Sequence, residues 1–236
     1  MTTGSGPAAN VSPDSGVIPS GVIDLLGLLA YAELVSFFHL ADDAELAPSL
    51  ADKGEIAGFA ATEQGHYRLL RDRLVELGAD PEEAMRPFVA SVDGWHAQTR
   101  PQSWLESLVK AYVGDGIAGD FYRQVAALAD PETAELVEGV LSESGRAEFI
   151  ARKVREAVTD DPKLAGRLAL WARRLVGEAL SQAQQVATQR PRLAGLLAAE
   201  NAGGVADAAD LAAVSRMFAQ LTDSHTSRLQ AMGLIN

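Results

Sequence analysis

The chain contains no cysteine, which excludes disulfides, zinc–thiolate sites, iron–sulfur clusters and thiol catalysis. β-Branched runs are scarce, whereas alanine and leucine dominate, and this composition favours an all-α fold. The chain does not open with a basic segment followed by an apolar run, so it shows no secretory signal. We also find no uninterrupted apolar run long enough to span a bilayer. We therefore expect a cytoplasmic protein that does not associate with a membrane.

Basic charge is also scarce. Lysine and arginine number 20 against 32 aspartates and glutamates, and the formal net charge is −12. The chain as a whole therefore lacks the basic footprint typical of nucleic-acid-binding proteins. Hydrophobic residues make up 47% of the 236 positions and charged residues 22%, as in ordinary soluble globular proteins.

Patterning along the chain predicts a short tail and one helical domain. Residues 1–19 are mostly Gly, Ser, Pro, Ala and Thr, so we expect a disordered N-terminal tail before a domain at 20–236. Apolar residues at helical spacing predict four long helices forming a core bundle over about 21–158. These helices are expected at about 21–40, 49–77, 104–128 and 131–158. Two additional C-terminal helices are expected over about 162–232, the first ending before Pro191 and the second at about 207–232.

The connections differ in length. Asp80-Pro81 is typical of a helix start, and Asp130-Pro131 predicts a tight turn and a cap. The stretch from Pro87 to Ser103 has no regular period, so we expect an irregular crossing there. A short helix near 191–200 and a Gly-rich break at 201–204 precede the last helix. The result is two antiparallel helical hairpins joined by a long crossover, which is the topology of a ferritin-like four-helix bundle.

Glu63 and His66 stand three residues apart on the second predicted helix, so they share one face. Their helical neighbours are apolar, and burying a carboxylate and an imidazole is costly unless they are paired or bind metal. Glu33 and Asp115 are acids within the apolar stripes of the first and third helices. Glu143 has the same place on the fourth helix.

The spacing of these residues matches the ligand pattern of ferritin-like metal sites, in which two helices each give a Glu and two give a Glu-x-x-His. Carboxylates and imidazoles suit ferrous and manganous ions. The candidate metal ligands are Glu33, Glu63, His66, Asp115 and Glu143.

Four stretches carry a more specific resemblance: Thr62–His66, Pro81–Met85, Trp104–Asp115 and His225-Thr226. In these stretches the chain resembles members of the ferritin-like superfamily, and in particular the actinobacterial proteins grouped with MiaE-type tRNA hydroxylases. The resemblance implies a non-haem di-iron centre and oxidation of a modified adenosine in tRNA. It also implies that the five candidate residues occupy ligand positions.

One residue departs from this pattern. Arg146 stands where the family motif has its second histidine, and an arginine stays protonated and cannot ligate a metal. We expect its guanidinium to pair with Glu143 or Asp115 and to repel a second dication. Three outcomes stay open: no bound metal, one metal held by Glu33, Glu63 and His66, or a distorted two-metal site.

Two functional hypotheses follow. The first is an iron-dependent oxidoreductase or hydroxylase with one or two iron ions, acting on a small molecule or a protein partner. tRNA is the partner that the resemblance implies, but the negative charge disfavours it. The alternative is a non-catalytic ferritin-like scaffold or interaction protein with an ion-paired core and no metal. The sequence leaves the oligomeric state open, a homodimer included.

Overall fold

The computed structural model describes residues 20–126, 129–142, 145–189 and 223–235. Within these ranges the chain is helical and has no strand, which confirms the predicted all-α fold. The helices, in chain order, are α1 Ser20–Asp43, α2 Leu50–Glu76, α3 Pro81–Met85, α4 Val89–Gln98, α5 Trp104–Ala126, α6 Pro131–Leu141, α7 Arg146–Asp160, α8 Lys163–Gln189 and α9 at 223–231. Short 3₁₀ turns lie at Ala44–Leu46 and Arg86–Phe88.

Local chemistry explains where the helices begin and end. Ser49 caps α2 by accepting a hydrogen bond from the Asp52 amide at 3.1 Å, and this satisfies one of the free donors of the first turn. Asp80 and Asp130 cap α3 and α6 in the same way, each followed by proline at the first helical position. α2 ends because Gly78 adopts a positive φ of 74°, which an L side chain rarely adopts.

The helices pair in two hairpins. α1 packs along α2, and α5 packs against both α6 and α7, while contacts of α1 with α5 and of α2 with α6 join the two pairs. α8 lies against α4 and α5, outside the four-helix core. The position of α9 is fixed by Arg228, which donates to the Gly116 carbonyl at 2.9 Å and pairs with Asp120.

Two predicted segments are corrected. The stretch from Pro87 to Ser103 is not an irregular crossing, because residues Val89–Gln98 form α4. Gly94 is tolerated within this helix where it faces Gln182 of α8. The fourth predicted helix, 131–158, is two helices, because Gly145 adopts a φ of 102° between α6 and α7. The tail at 1–19, the short helix at 191–200 and the Gly-rich break lie outside the described residues, as does most of the last predicted helix.

The expectation about apolar runs also needs correction. Among the described residues, the segment Gly21–Leu46 is long and apolar enough by composition to span a bilayer. Half of its most apolar window is buried inside the bundle, as in the core helix of a soluble protein. The finding is therefore consistent with a soluble bundle.

Close packing of α1 on α3 gives a first prediction. A Cβ added at Gly27 would overlap the backbone carbonyl of Ala84, which cannot rotate away. Gly27→Ala should therefore lower the free energy of unfolding by about 1–3 kcal/mol. Gly58→Ala is the matched control, since its Cβ would meet nothing within 4 Å, and it should stabilise α2 by up to about 1 kcal/mol. Urea unfolding measures both, and equal effects would contradict this packing.

Candidate metal centre

The apolar interior is divided into two clusters along the bundle. One cluster takes the end of α1, the beginning of α2 and the first half of α5, together with α7 and α8. The other takes the beginning of α1, the end of α2, the end of α5 and α6. Glu33 and Glu63 fall between the two sets on their helices, and Asp115 lies on α5 within the first set, between Val113 and Ile117. A layer of polar side chains thus crosses the middle of the bundle.

Three residues of this layer form a compact group. Each of Glu33, Glu63 and His66 offers one ligand atom, and these atoms lie within 4.8 Å of one another. His66 Nδ1 is 3.4 Å from Glu33 Oε2 and 3.7 Å from Glu63 Oε2. Glu33 and Glu63 are 9% and 4% exposed. The group is therefore enclosed, and small movements would suffice for all three atoms to reach one ion.

Arg146, the first residue of α7, lies beside this group and is buried. It donates a hydrogen bond to Glu63 Oε1, and its other terminal nitrogen donates to Asp115 Oδ2 at 2.6 Å. The guanidinium also lies over the ring of Phe59, at 5.5 Å. Arg146 therefore joins α2, α5 and α7 through one charged group. It pairs with Asp115, one of the two acids predicted for it, and with Glu63, which was not predicted.

The predicted ligand residues are placed as follows. Glu33, Glu63 and His66 converge, and Asp115 reaches the group through Arg146. Asp115 is not an enclosed acid as expected, since its side chain is 41% exposed, and it forms the solvent-facing edge of the cluster. Glu143 lies outside the described residues. The continuous helix predicted to carry Arg146 is interrupted, because α6 ends at Leu141 and α7 begins only at Arg146.

Proton positions follow from the contacts. Burial raises the pKa of the Glu33 carboxyl well above its ordinary value, and the neighbouring Glu63 charge adds to this. Burial also disfavours the Glu63 anion, but its three polar neighbours outweigh that effect and lower the pKa of Glu63 to about 2. Burial would lower the pKa of His66, yet the two glutamates raise it to about 10. At neutral pH, His66 is thus protonated and Glu63 is an anion, while burial favours the protonated form of Glu33.

This arrangement makes stability depend on pH. The pKa of His66 is about 10 in the folded chain and 6.5 in the unfolded one, so its stabilisation is complete below pH 6.5 and is lost as the pH rises to 10. The slope reaches at most about 1.4 kcal/mol per pH unit. Urea unfolding of metal-free protein across this window should show the loss, and His66→Gln should remove it. If both proteins lose stability equally, the proposed protonation of His66 is wrong.

Comparison with known proteins agrees with the fold. A family model described as the ferritin-like domain of actinomycetes matches residues 18–200. The chain belongs to this family. No curated protein matches the chain. The matched range covers every helix that contributes to the polar layer of this chain.

Sequence reasoning missed a further polar residue of the core. Lys110 of α5 is 5% exposed and lies among side chains of α1 and α4. The only hint in the sequence is that Lys110 directly follows two apolar residues, Leu108 and Val109, which are both buried. Many surface lysines have such neighbours, so spacing alone does not distinguish this one.

Proposed function

We propose that this ferritin-like domain binds a single divalent metal ion, iron foremost, through Glu33, Glu63 and His66, and acts as an iron-dependent oxidoreductase. The observation that carries the proposal is the convergence of two carboxylates and an imidazole from α1 and α2 in a buried layer. Long helices hold such groups rigidly, which suits a metal site.

The residues present fit such an ion. Two carboxylates and one imidazole are ligands that ferrous and manganous ions accept. Glu33 Oε2 is buried and accepts no hydrogen bond from the described residues, so this oxygen has unused capacity toward the cluster. The two glutamates would balance the charge of a dication once the proton of His66 and any proton on Glu33 are displaced. Bound there, a ferrous ion would supply dioxygen chemistry.

The chain's own residues define the rest of the site. Arg146 places a fixed positive charge against Glu63 and Asp115, where a second ion would otherwise find carboxylate ligands. This charge favours one ion over two. Asp115 faces solvent, so an ion or a small substrate can approach the site past this residue. Burial raises the pKa of the Tyr122 phenol, and the charge of the nearby Glu33 carboxylate adds to this.

The type of reaction rests on resemblance. The likeness to MiaE-type hydroxylases supports hydroxylation with dioxygen, while the net charge of −12 weighs against a tRNA substrate. We therefore favour a small molecule or a protein partner as the substrate. A cytoplasmic location fits this chemistry.

A second function is favoured by one specific observation. Arg146 already satisfies Glu63 and Asp115 with hydrogen bonds, so the layer can persist without metal. In that case the domain would be a non-catalytic scaffold whose surface binds a protein partner. Buried ion pairs of this kind persist when each charge has its hydrogen bonds.

Metal loading separates the two functions. Protein purified in the presence of a chelator would be loaded anaerobically with ferrous iron. The loading buffer would be slightly alkaline, so that the ligands lose their protons. After desalting, iron per chain is measured. We expect one iron per chain, lost in Glu63→Gln and in His66→Gln. Asp52→Asn is the matched control, because Asp52 is a buried acid that pairs with Lys153 at 2.7 Å outside the cluster.

The outcomes are distinct. One iron that depends on Glu63 and His66 supports the metal site, and consumption of dioxygen by the loaded protein supports the oxidoreductase. An absence of iron after anaerobic loading would exclude the oxidoreductase and favour the scaffold. Iron that survives both substitutions would place the metal elsewhere.

A further inference from the structure

A second group of polar side chains lies nearer the end of α1, and it combines a buried lysine with partly exposed neighbours. It consists of His39 and Asp43 from α1, His96 with its neighbour Trp95 from α4, and Lys110 from α5. Lys110 precedes Asp115 by five residues, which is about 7.5 Å along a helix. The group is therefore separate from the carboxylate layer and shares no residue with it.

Lys110 is a buried cation without a counter-ion in contact. It is 5% exposed, and its ammonium lies over the Trp95 ring at 5.0 Å. Within the described part of the chain it forms neither a hydrogen bond nor an ion pair. Elsewhere among the described residues, largely covered cations reach a carboxylate: Arg73 pairs with Asp130, Arg146 with Glu63, Lys153 with Asp52 and Arg228 with Asp120.

A buried ammonium of this kind has unmet hydrogen-bonding capacity. Burial lowers the pKa of Lys110 to about 8, and the charge of Asp43 opposes that change without forming an ion pair. At neutral pH the side chain is therefore still mostly an ammonium with three N–H donors. Covering such donors without giving them an acceptor is unfavourable. An acceptor from outside the chain would remove that cost.

The walls around Lys110 offer further polar atoms. The imidazoles of His39 and His96 stack at 3.9 Å between ring centroids, and burial together with the Lys110 charge lowers the pKa of each. His96 Nδ1 is buried and has no hydrogen-bond partner among the described residues. Trp95 is held in place by its bond to the Leu175 carbonyl at 3.4 Å.

Trp95 also depends on a glycine of α5. A Cβ on Gly114 would lie 2.8 Å from the Trp95 ring, so only glycine lets the indole lie this close to the helix, one turn beyond Lys110. The ammonium, the indole face and the His96 ring edge therefore have fixed relative positions.

We propose that Lys110, His96 and Trp95 form a binding site for one small carboxylate anion of the size of formate or acetate. Its oxygens would accept hydrogen bonds from the Lys110 ammonium and from the His96 imidazole, and its short apolar end would lie against the indole. Asp42 and Asp43 lie at the same end of α1 and disfavour multiply charged anions, whereas Arg100 adds positive charge near His39.

The chain offers a clean measurement, because it has only four lysines: Lys53, Lys110, Lys153 and Lys163. Metal-free protein labelled with ¹³C at the lysine ε-carbons would be titrated with sodium acetate, and separately with sodium chloride at equal ionic strength. We expect acetate to shift the Lys110 signal saturably and to leave Lys53 and Lys163 unchanged. Saturating acetate should also raise the Lys110 titration midpoint from about 8 toward its ordinary 10.5.

Variants complete the test. Lys110→Met should abolish saturable acetate binding measured by calorimetry, whereas Lys163→Met, at an exposed lysine of α8, should retain it. His96→Gln should weaken binding about tenfold, as expected for one lost hydrogen bond. Above the Lys110 midpoint, affinity should fall tenfold per pH unit. If acetate acts no differently from chloride on labelled wild-type protein, the proposal is wrong, whatever the stability of the variants.

Discussion

Replacing Arg146 with leucine should lower the free energy of unfolding of the metal-free protein by about 3 kcal/mol. The guanidinium donates to the buried Glu63 and to the half-exposed Asp115. Without it, Asp115 can turn to water, but the charge of Glu63 stays enclosed with His66 as its remaining cation. The cost lies at the lower end of the range for broken buried ion pairs because His66 compensates in part. Urea unfolding in chelator measures it.

Two further variants test the cause of this loss. Arg123→Leu removes an arginine that is 43% exposed and pairs with Glu138 at 3.3 Å, and it should cost less than about 1 kcal/mol. Combining Arg146→Leu with Glu63→Gln should cost clearly less than the two single changes added together, because the second change removes the orphaned charge. Additive costs would show that Arg146 acts through packing on Phe59 rather than through its charge.

The same arginine links the two proposed functions. Without metal, it neutralises Glu63 and holds α2, α5 and α7 together. With one ion at Glu33, Glu63 and His66, it would face that ion across Glu63 and keep the neighbouring position free of a second ion. The balance between ion pair and metal is therefore set largely by one side chain, and its charge does not change at physiological pH.

Much of the fold follows from the sequence. Apolar spacing locates α2 to within a residue or two, and the caps at Asp80 and Asp130 locate the first residues of α3 and α6, because these signals are local. α4 could not be predicted from the sequence, since Pro87 and Gly94 normally indicate a break. In the structure, packing against α8 overrides their local preference. The division between α6 and α7 does not follow either. The apolar stripe continues across it, and only the positive φ of Gly145 reveals the turn.

The candidate site was predictable in part for similar reasons. Glu63 and His66 share a face on any regular helix, so their proximity is a local property. The approach of Glu33 depends on the hairpin register, which the loop positions indicate. The contact of Arg146 with Glu63, rather than with Asp115 alone, depends on where α7 starts after the Gly145 turn. The burial of Lys110 depends on α4, which the sequence did not predict, and so this side chain had no visible role.

Arg146→His should raise the metal content after anaerobic ferrous loading from one ion toward two per chain. The substitution removes a fixed positive charge beside Glu63 and Asp115, and it supplies an imidazole at the position where ferritin-like sites have their second histidine. Unit charges about 4 Å apart interact by roughly 4 kcal/mol near a protein surface, and a dication doubles this repulsion. Its removal should therefore change metal affinity by orders of magnitude.

Arg146→Gln separates charge from ligation. It removes the same positive charge without adding an imidazole, so it should tighten the first ion and leave the stoichiometry at one. Arg123→His is the control for an added surface histidine and should leave both unchanged. Iron analysis after desalting, with optical spectra of the oxidised protein, distinguishes these cases. If Arg146→His binds no more iron than the parent, Arg146 does not occupy a second metal position.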